Sequence, residues 1–262
     1  MSAVAPARPA RRAQPQITLT VQRTEWLTPH LVRVVLGGDA FDAFTRTQMT
    51  DQYVKLVFDD AGEPVTRTYT IRSVDEQART LSIDFVVHGD SGLAGPWAAA
   101  ARPGDTLVLG GSGGGYAPDA TADWRLFAGD ESALPAIAAA LEALPATAQG
   151  VAFIEAHTES DMLQLNAPVG VEVRWLLRGE ADAGSTTLLA EAVDAEPWRE
   201  GTAQVFAHGE RGAMKLLRAV FAARGLSRQQ LSLSGYWAFG RTEDRFQAEK
   251  REPIGIIEPV SN

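Results

Sequence analysis

Short runs of alternating apolar residues fill the first part of the chain. Ile17–Val21, Val32–Leu36, Tyr53–Phe58, Arg67–Ile71, Leu81–Val87 and Thr106–Leu109 are rich in Val, Ile, Leu and Tyr. Turn residues separate them at Gly37-Gly38-Asp39, Asp59-Asp60-Ala61-Gly62 and Pro103-Gly104-Asp105. Short strands at such regular spacing predict a closed antiparallel β-barrel. Ser91–Ala101 breaks the pattern, and Pro96 suits the first turn of a helix through the alanines that follow.

The second half has a longer rhythm. Apolar strands at Trp124–Ala128, Val151–Ala156, Val171–Leu177, Gln204–His208 and Leu231–Ser234 alternate with helical stretches at Leu134–Leu144, Thr186–Ala192 and Met214–Arg224. Strands buried on both faces between helices predict a parallel sheet in an α/β domain. The Gly-, Pro- and Asp-rich stretch Gly110–Asp123 separates the halves, so residues 17–117 read as a barrel domain. Residues 118–262 read as a parallel-sheet domain with a C-terminal extension. Met1–Gln16 has Arg8, Arg11 and Arg12 among Ala and Pro, without the apolar middle of a secretory signal, and is expected to be a disordered leader.

Composition narrows the chemistry. The 262 residues carry a formal net charge of -9, against a general nucleic-acid surface. The absence of cysteine removes disulfides, iron–sulfur clusters and thiol catalysis, and fits a reducing cytoplasm. No apolar run reaches the roughly 20 residues of a membrane helix, so membrane insertion is not expected. The four histidines, at 30, 88, 157 and 208, stand apart in sequence, and no protein-bound metal is expected. Neither a catalytic triad nor a carboxylate pair stands out, so the chemistry is assigned to a cofactor rather than to a catalytic side chain.

Four segments could hold that cofactor and its partners. Arg67-Thr68-Tyr69-Thr70-Ile71-Arg72 lies on a strand, where alternation sends Arg67, Tyr69 and Ile71 one way and Thr68, Thr70 and Arg72 the other. A flavin needs an aromatic surface, a hydrogen bond at its ring edge and positive charge for its pyrophosphate, which Tyr69, Thr70 and Arg67 could supply. The same residues would also suit a strand with a buried tyrosine and solvated arginines. His88-Gly89-Asp90-Ser91-Gly92-Leu93-Ala94-Gly95-Pro96-Trp97 follows the next strand. Gly92, Leu93 and Ala94 could cradle a pyrophosphate through main-chain N–H groups, with His88 nearby. An ordinary loop capping a short helix would look the same.

Gly129-Asp130-Glu131-Ser132 joins a strand to a helix, where ligands of parallel sheets bind. Gly129 permits a tight turn, Ser132 could cap the helix, and the helix start could face a nucleotide phosphate. Asp130 and Glu131 could equally serve only the helix dipole. Gly235-Tyr236-Trp237 places aromatics at a sheet end, where Trp237 could cover a flavin or simply pack between domains.

Together these segments resemble the siderophore-interacting protein family, flavoprotein reductases of ferredoxin-reductase-like architecture. The resemblance spans about Ile17 to Glu252. It rests on Arg67, Tyr69, Thr70 and Arg72, on His88-Gly89-Asp90, on Ala128–Ile137, on Gly235–Trp237, on Gly240–Asp244 and on Ala248–Lys250. It implies bound FAD, with Thr68, Asp84 and Val86 joining the cofactor contacts, and NADPH or NADH at Gly129–Ser132. It further implies reduction of Fe(III) in a ferric siderophore. Candidate cations for that substrate are Lys55, Arg241 and Arg245, the last two sharing a face if Thr242–Lys250 is helical. Two positions depart from the family pattern: Ala238 stands where a basic residue is common, and His208 interrupts an Ala-Gly-Glu run. A reductase serving a ferredoxin, a quinone or free flavin, and a non-enzymatic flavin or siderophore carrier, are the alternatives.

Overall fold

The computed structural model describes residues 16–88 and 92–260. The expected leader therefore lies, but for Gln16, outside the described residues, as do Gly89, Asp90 and Ser91 of the glycine-rich segment. Six strands close a barrel: β1 (Ile17–Thr28), β2 (Leu31–Gly37), β3 (Tyr53–Asp60), β4 (Glu63–Asp75), β5 (Thr80–Val86) and β6 (Thr106–Gly113). Their order around the barrel is β1-β2-β5-β4-β3-β6, every pairing antiparallel. The period of two fills the interior: Leu19, Val21, Val32, Val34, Leu36, Val54, Leu56, Leu81, Ile83, Phe85, Leu107 and Leu109 are all buried. Each such side chain contributes roughly 1.5–3 kcal/mol. A register shift between Ile71 and Ser73 lets β4 bend, so that Ile71 and Val74, three residues apart, both reach the core.

Helix α1 (Ala94–Ala100) closes the barrel, with Trp97 against Phe58 and Phe85. The chain then builds a five-stranded parallel sheet from β7 (Trp124–Gly129), β8 (Gly150–Ala156), β9 (Val171–Leu177), β10 (Ala203–Glu210) and β11 (Leu231–Trp237), in the order β11-β10-β7-β8-β9. Helices α2 (Leu134–Ala143), α3 (Leu188–Ala195), α4 (Arg211–Ala223) and α5 (Glu243–Glu249) complete the described α-helices. One face of the sheet packs on α2 through Phe127, Ile154, Phe206, Ile137 and Leu141. The other packs on α3 and α4 through Leu126, Phe153, Val205, Leu189 and Leu217. No helix among the described residues is long and apolar enough to cross a membrane.

Three boundaries differ from the sequence expectation. The helix expected at Thr186–Ala192 begins at Leu188, because Thr186 turns its hydroxyl to Glu155 at 2.7 Å. The last helix of the sheet begins at Arg211, because the Glu210 side chain caps it by accepting from Ala213 N at 2.8 Å. The final strand runs on to Trp237, paired with β10 up to Gly235 and again at Trp237 after a register shift at Tyr236, so the Gly-Tyr-Trp segment lies within the sheet.

The halves are joined by specific contacts. Asp51 Oδ1 accepts from the backbone N–H groups of Gly115 and Tyr116, each at 2.9 Å. Tyr116 is buried against Phe127 and Phe206 of the sheet. Arg72 reaches from β4 to Glu142 on α2 at 2.9 Å. Strand β4 thus packs along α2, and its Thr70 reaches Tyr236 near the carboxyl end of β11.

Candidate functional site

Strand β4 sets the first part of the site. Tyr69 turns inward, its ring 4.5 Å from Phe85, and burial pushes its phenol well above the ordinary range. Arg67, on the same face, forms an ion pair with Asp244 at 3.1 Å. Thr68 and Thr70 take the opposite face. There Thr68 accepts a short hydrogen bond from the Lys55 ammonium, and Thr70 bonds to Tyr236 at the end of β11. Lys55 is half-buried on the outer surface of the barrel, while its neighbours Val54 and Leu56 fill the interior.

Two lysines lie within electrostatic reach of one another near this outer face. Burial lowers the Lys55 ammonium below its ordinary value, with Glu243 opposing the shift. Burial likewise lowers Lys250, Glu243 opposes it, and the charge of Lys55 lowers it further. Neither lysine forms an ion pair among the described residues. Lys250 lies 4.6 Å over the Phe246 ring and Lys55 5.7 Å over Tyr53. Lys250 escaped the sequence reading, although it closes the Ala248–Lys250 match. It ends α5, and only folding brings it within electrostatic reach of Lys55 on β3.

The other expected cations have different work. Arg241 and Arg245 do share a face, and both donate to Glu249 Oε1 at 2.8 Å. Arg211 donates to the other carboxylate oxygen at 2.8 Å. Three guanidinium groups thus surround one buried carboxylate, which fastens α5 to α4. Ala238 is 2% exposed, so the position without the family's common basic residue points into the protein.

At the barrel edge, Asp84 is gripped by Arg33 through two hydrogen bonds, at 2.7 and 2.8 Å, and Val86 packs towards α2. His88 follows, its imidazole pushed down by desolvation and then by the charge of Arg178. Gly92 has φ +83, and a Cβ there would meet nothing within 4 Å. No side chain caps α1 after Leu93, and Ala94 opens the helix against the barrel. An open, side-chain-free backbone beside a histidine fits a phosphate-bearing cofactor.

The carboxyl end of the sheet is more self-contained than the sequence implies. Gly129 is required by packing: a Cβ would sit 2.7 Å from both Ala133 Cβ and the His208 carbonyl oxygen. Ser132 does not cap α2; its N–H and hydroxyl both donate to Asp130 Oδ1, while the Asp130 carbonyl accepts from Leu134 N at 3.1 Å. Asp130 Oδ2 accepts from Glu210 N at 2.8 Å and from the Trp237 indole at 2.9 Å. Trp237 is therefore oriented by a carboxylate. Glu131 pairs with Arg178 at 2.6 Å, and Glu155 lies 3.9 Å from the same guanidinium. Burial raises both glutamates, and Arg178 draws both back down. Glu155 lies near the end of β8 and Arg178 directly follows β9, and neither carries a local signature that would single it out before folding. His208 is buried and stacked on Phe206 at 3.9 Å, as suits a packed strand residue.

Comparison with known proteins agrees with this layout. The family model described as Siderophore-interacting protein matches residues 122–240, and that described as Siderophore-interacting FAD-binding domain matches residues 20–64 and 58–116. An uncharacterized protein of Mycobacterium tuberculosis is 45% identical over 91% of this chain and 96% of its own. Ferric vibriobactin reductase ViuB of Vibrio cholerae is 30% identical over 91% and 95%. An NADPH-dependent ferric-chelate reductase of Escherichia coli is 30% identical over 84% and 91%. A siderophore utilization protein from T. fusca superposes with a TM-score of 0.79 at 36% identity, covering 87% of this chain and 94% of its own.

Proposed function

The chain belongs to the siderophore-interacting protein family, and on that premise we propose that it is an FAD-dependent reductase that takes electrons from NADPH or NADH and reduces Fe(III) held in a siderophore. The relatives named as ferric vibriobactin reductase and ferric-chelate reductase support the reaction class. The observation that carries the substrate reading is the pair Lys55 and Lys250, a half-buried and an exposed ammonium group without ion-pair partners among the described residues, Lys55 lying beside the strand of the flavin motif.

Bound FAD supplies the chemistry that links a two-electron hydride donor to a one-electron ferric acceptor. The side chains position and shield. Thr68 and Thr70 would line the ring end of the cofactor site from the outer face of β4, Tyr69 would back that strand from inside the barrel, and Arg67 offers positive charge along the same strand. His88 and the backbone of Gly92, Leu93 and Ala94 receive the pyrophosphate. Asp84 holds Arg33 in place beneath this edge, and Val86 closes it towards α2. Trp237, fixed by Asp130, borders the sheet end where the nicotinamide approaches. The backbone of Gly129–Ser132 remains the phosphate-facing part of that end, since the side chains of Asp130 and Ser132 satisfy one another. Lys55 and Lys250 draw an anionic ferric chelate to the outer face of β3 and β4, with Arg241 and Arg245 held back by Glu249.

The test is anaerobic. FAD-loaded protein is mixed with NADPH or NADH, and the flavin absorbance is followed before and after a ferric siderophore is added. Bleaching by the nucleotide, then recovery with trapped Fe(II), is the expected result. No bleaching by either nucleotide would overturn the nicotinamide donor, and a reduced ferredoxin would be tried in its place. Bleaching without Fe(II) would point to another acceptor.

A further inference from the structure

Two histidines that are 127 positions apart in sequence meet in the fold, and a buried carboxylate joins them. His30 sits in the turn between β1 and β2, and His157 follows β8. Asp161 lies in the short helical turn Glu159–Asp161 after it. Their ligand atoms all lie within 4.8 Å of one another. His30 Nδ1 is 2.8 Å from Asp161 Oδ1, and His157 Nδ1 is 3.8 Å from Asp161 Oδ2. First-row metal ions hold nitrogen and oxygen donors at about 2.0–2.2 Å, so donors around one ion lie roughly 3–4 Å apart.

The framework is anchored on every side. Val87 N donates to the His30 carbonyl at 2.9 Å, and Gly179 N donates to the His157 carbonyl at 3.0 Å. Thr158 donates to Asp161 Oδ2 through its hydroxyl at 2.9 Å and its N–H at 3.2 Å. The Asp161 side chain is 2% exposed, whereas His30 and His157 are 39% and 33% exposed. The rings meet edge to face, with centroids 5.1 Å apart. A fixed, buried anion thus lies behind two imidazoles with solvent-facing edges. A neutral imidazole can move its proton from Nδ1 to Nε2, which frees the Nδ1 lone pair without net proton release.

We propose that His30, His157 and Asp161 form a binding site for a divalent first-row transition-metal ion, with the Fe(II) produced by the proposed reduction as its occupant. Two imidazoles and one carboxylate with open positions suit Fe(II), whereas Mg(II) and Ca(II) prefer oxygen-only sites. The identity of the occupant rests on the reductase reading; the site itself does not. Its position supports the link. Val87, bonded to His30, directly precedes His88, and both triad histidines repel the protonated form of His88. An ion held here lies beside the proposed cofactor loop. The hard-oxygen chelator that carried Fe(III) competes weakly for Fe(II), and an N2O site competes better.

Co(II), which is not oxidised in air at these ligands, is the probe. FAD-loaded protein is titrated with Co(II) and the metal-centred absorbance is read. One Co(II) per chain is expected, with at least tenfold weaker binding in His30→Ala and in His157→Ala, both of which replace partly exposed side chains. Anaerobic Fe(II) should displace the Co(II), and Mg(II) should not. No uptake by the wild type, unchanged affinity in both variants, or displacement by Mg(II) would overturn the site. Failure of Fe(II) to displace Co(II) would overturn its occupant. Ferric-chelate reduction, followed in parallel with an external Fe(II) trap, separates the two readings. Uptake without reduction would keep the site and remove the source of its ion, and reduction without uptake would keep the function and remove the site.

Discussion

Asp130 accepts the indole N–H of Trp237 at 2.9 Å, which ties the end of the first strand of the parallel sheet to the end of the last. The two strands are not neighbours; β10 lies between them, and the same Asp130 oxygen also accepts from Glu210 N on β10. One carboxylate therefore sets the height of three strand ends and the orientation of the aromatic residue beside the proposed nicotinamide site.

Trp237→Phe should keep the ring and lose the hydrogen bond. Asp130 is 4% exposed, so an unpaired lone pair there costs about 1–3 kcal/mol. The urea midpoint should fall by a corresponding amount, with an unchanged slope. A variant as stable as the wild type would show that the indole N–H is dispensable to the strand ends.

Glu249 should make the C-terminal extension acid-sensitive. Hydrogen bonds from Arg245, then Arg211 and Arg241, hold its carboxylate down at about 2, against an ordinary 4.5. A depressed carboxylate contributes stability above its unfolded value, and this is lost as the pH falls through the folded value. The wild type should thus lose its advantage over Glu249→Gln between about pH 4.5 and about pH 2, with the melting temperatures of the two converging. Parallel melting curves across that window would remove the three-arginine network from the stability of the fold.

How much of this could be read in the chain follows from the range of each interaction. The barrel was legible because inward residues such as Val54, Leu56 and Phe58 alternate within one strand. The parallel sheet was legible because its strands are apolar on both faces. The resemblance pointed to the flavin strand and to the glycine-rich loop because their residues are contiguous. What stayed hidden depends on chain segments that meet only after folding. Arg178 meets Glu131 across strand ends, Lys250 comes within electrostatic reach of Lys55, and His30 meets His157 between the two halves. The opposite error has the same root. Arg241 and Arg245 look like free cations in sequence, because Glu249, eight and four residues on respectively, reveals its place between them only once α4 supplies Arg211.

Tyr69 and Tyr116 offer a paired test of the flavin strand. Tyr116 is buried and Tyr69 partly buried, so truncation to alanine should destabilise the fold by about 3–5 kcal/mol at Tyr116 and by less at Tyr69. Their expected effects on the cofactor differ. Tyr69 shares β4 with Arg67 and Thr70, whereas Tyr116 is committed to Phe206 and to Gln204 through its hydroxyl at 3.3 Å. FAD dissociation constants, measured well below the melting temperature of each variant, should rise at least tenfold for Tyr69→Ala and much less for Tyr116→Ala. Equal losses would remove the special place of Tyr69.

The lysine pair gives the substrate reading its own signature in charge and pH. Lys55→Ala and Lys250→Ala should each raise KM for an anionic ferric chelate roughly five- to tenfold, equivalent to about 1–1.4 kcal/mol of lost attraction. The FAD content should stay unchanged, because neither lysine is among the residues proposed to hold the cofactor. Added salt should raise KM in the wild type and less in the variants, since partly exposed charges are screened. The pH dependence follows from the direction of the shifts. Burial lowers both ammonium groups below 10.5, so each loses its proton, and its attraction, before an ordinary lysine would. KM for an anionic chelate should therefore climb as the pH rises towards 10.5, while KM for a neutral chelate stays flat. Arg241→Ala supplies the contrast, because its guanidinium is spent on Glu249 and should matter to melting temperature more than to KM. If both lysine variants keep the wild-type KM at low salt, the basic face is not the docking site. The buried Ala238 would then mark a protein that takes an uncharged chelate by shape rather than by charge.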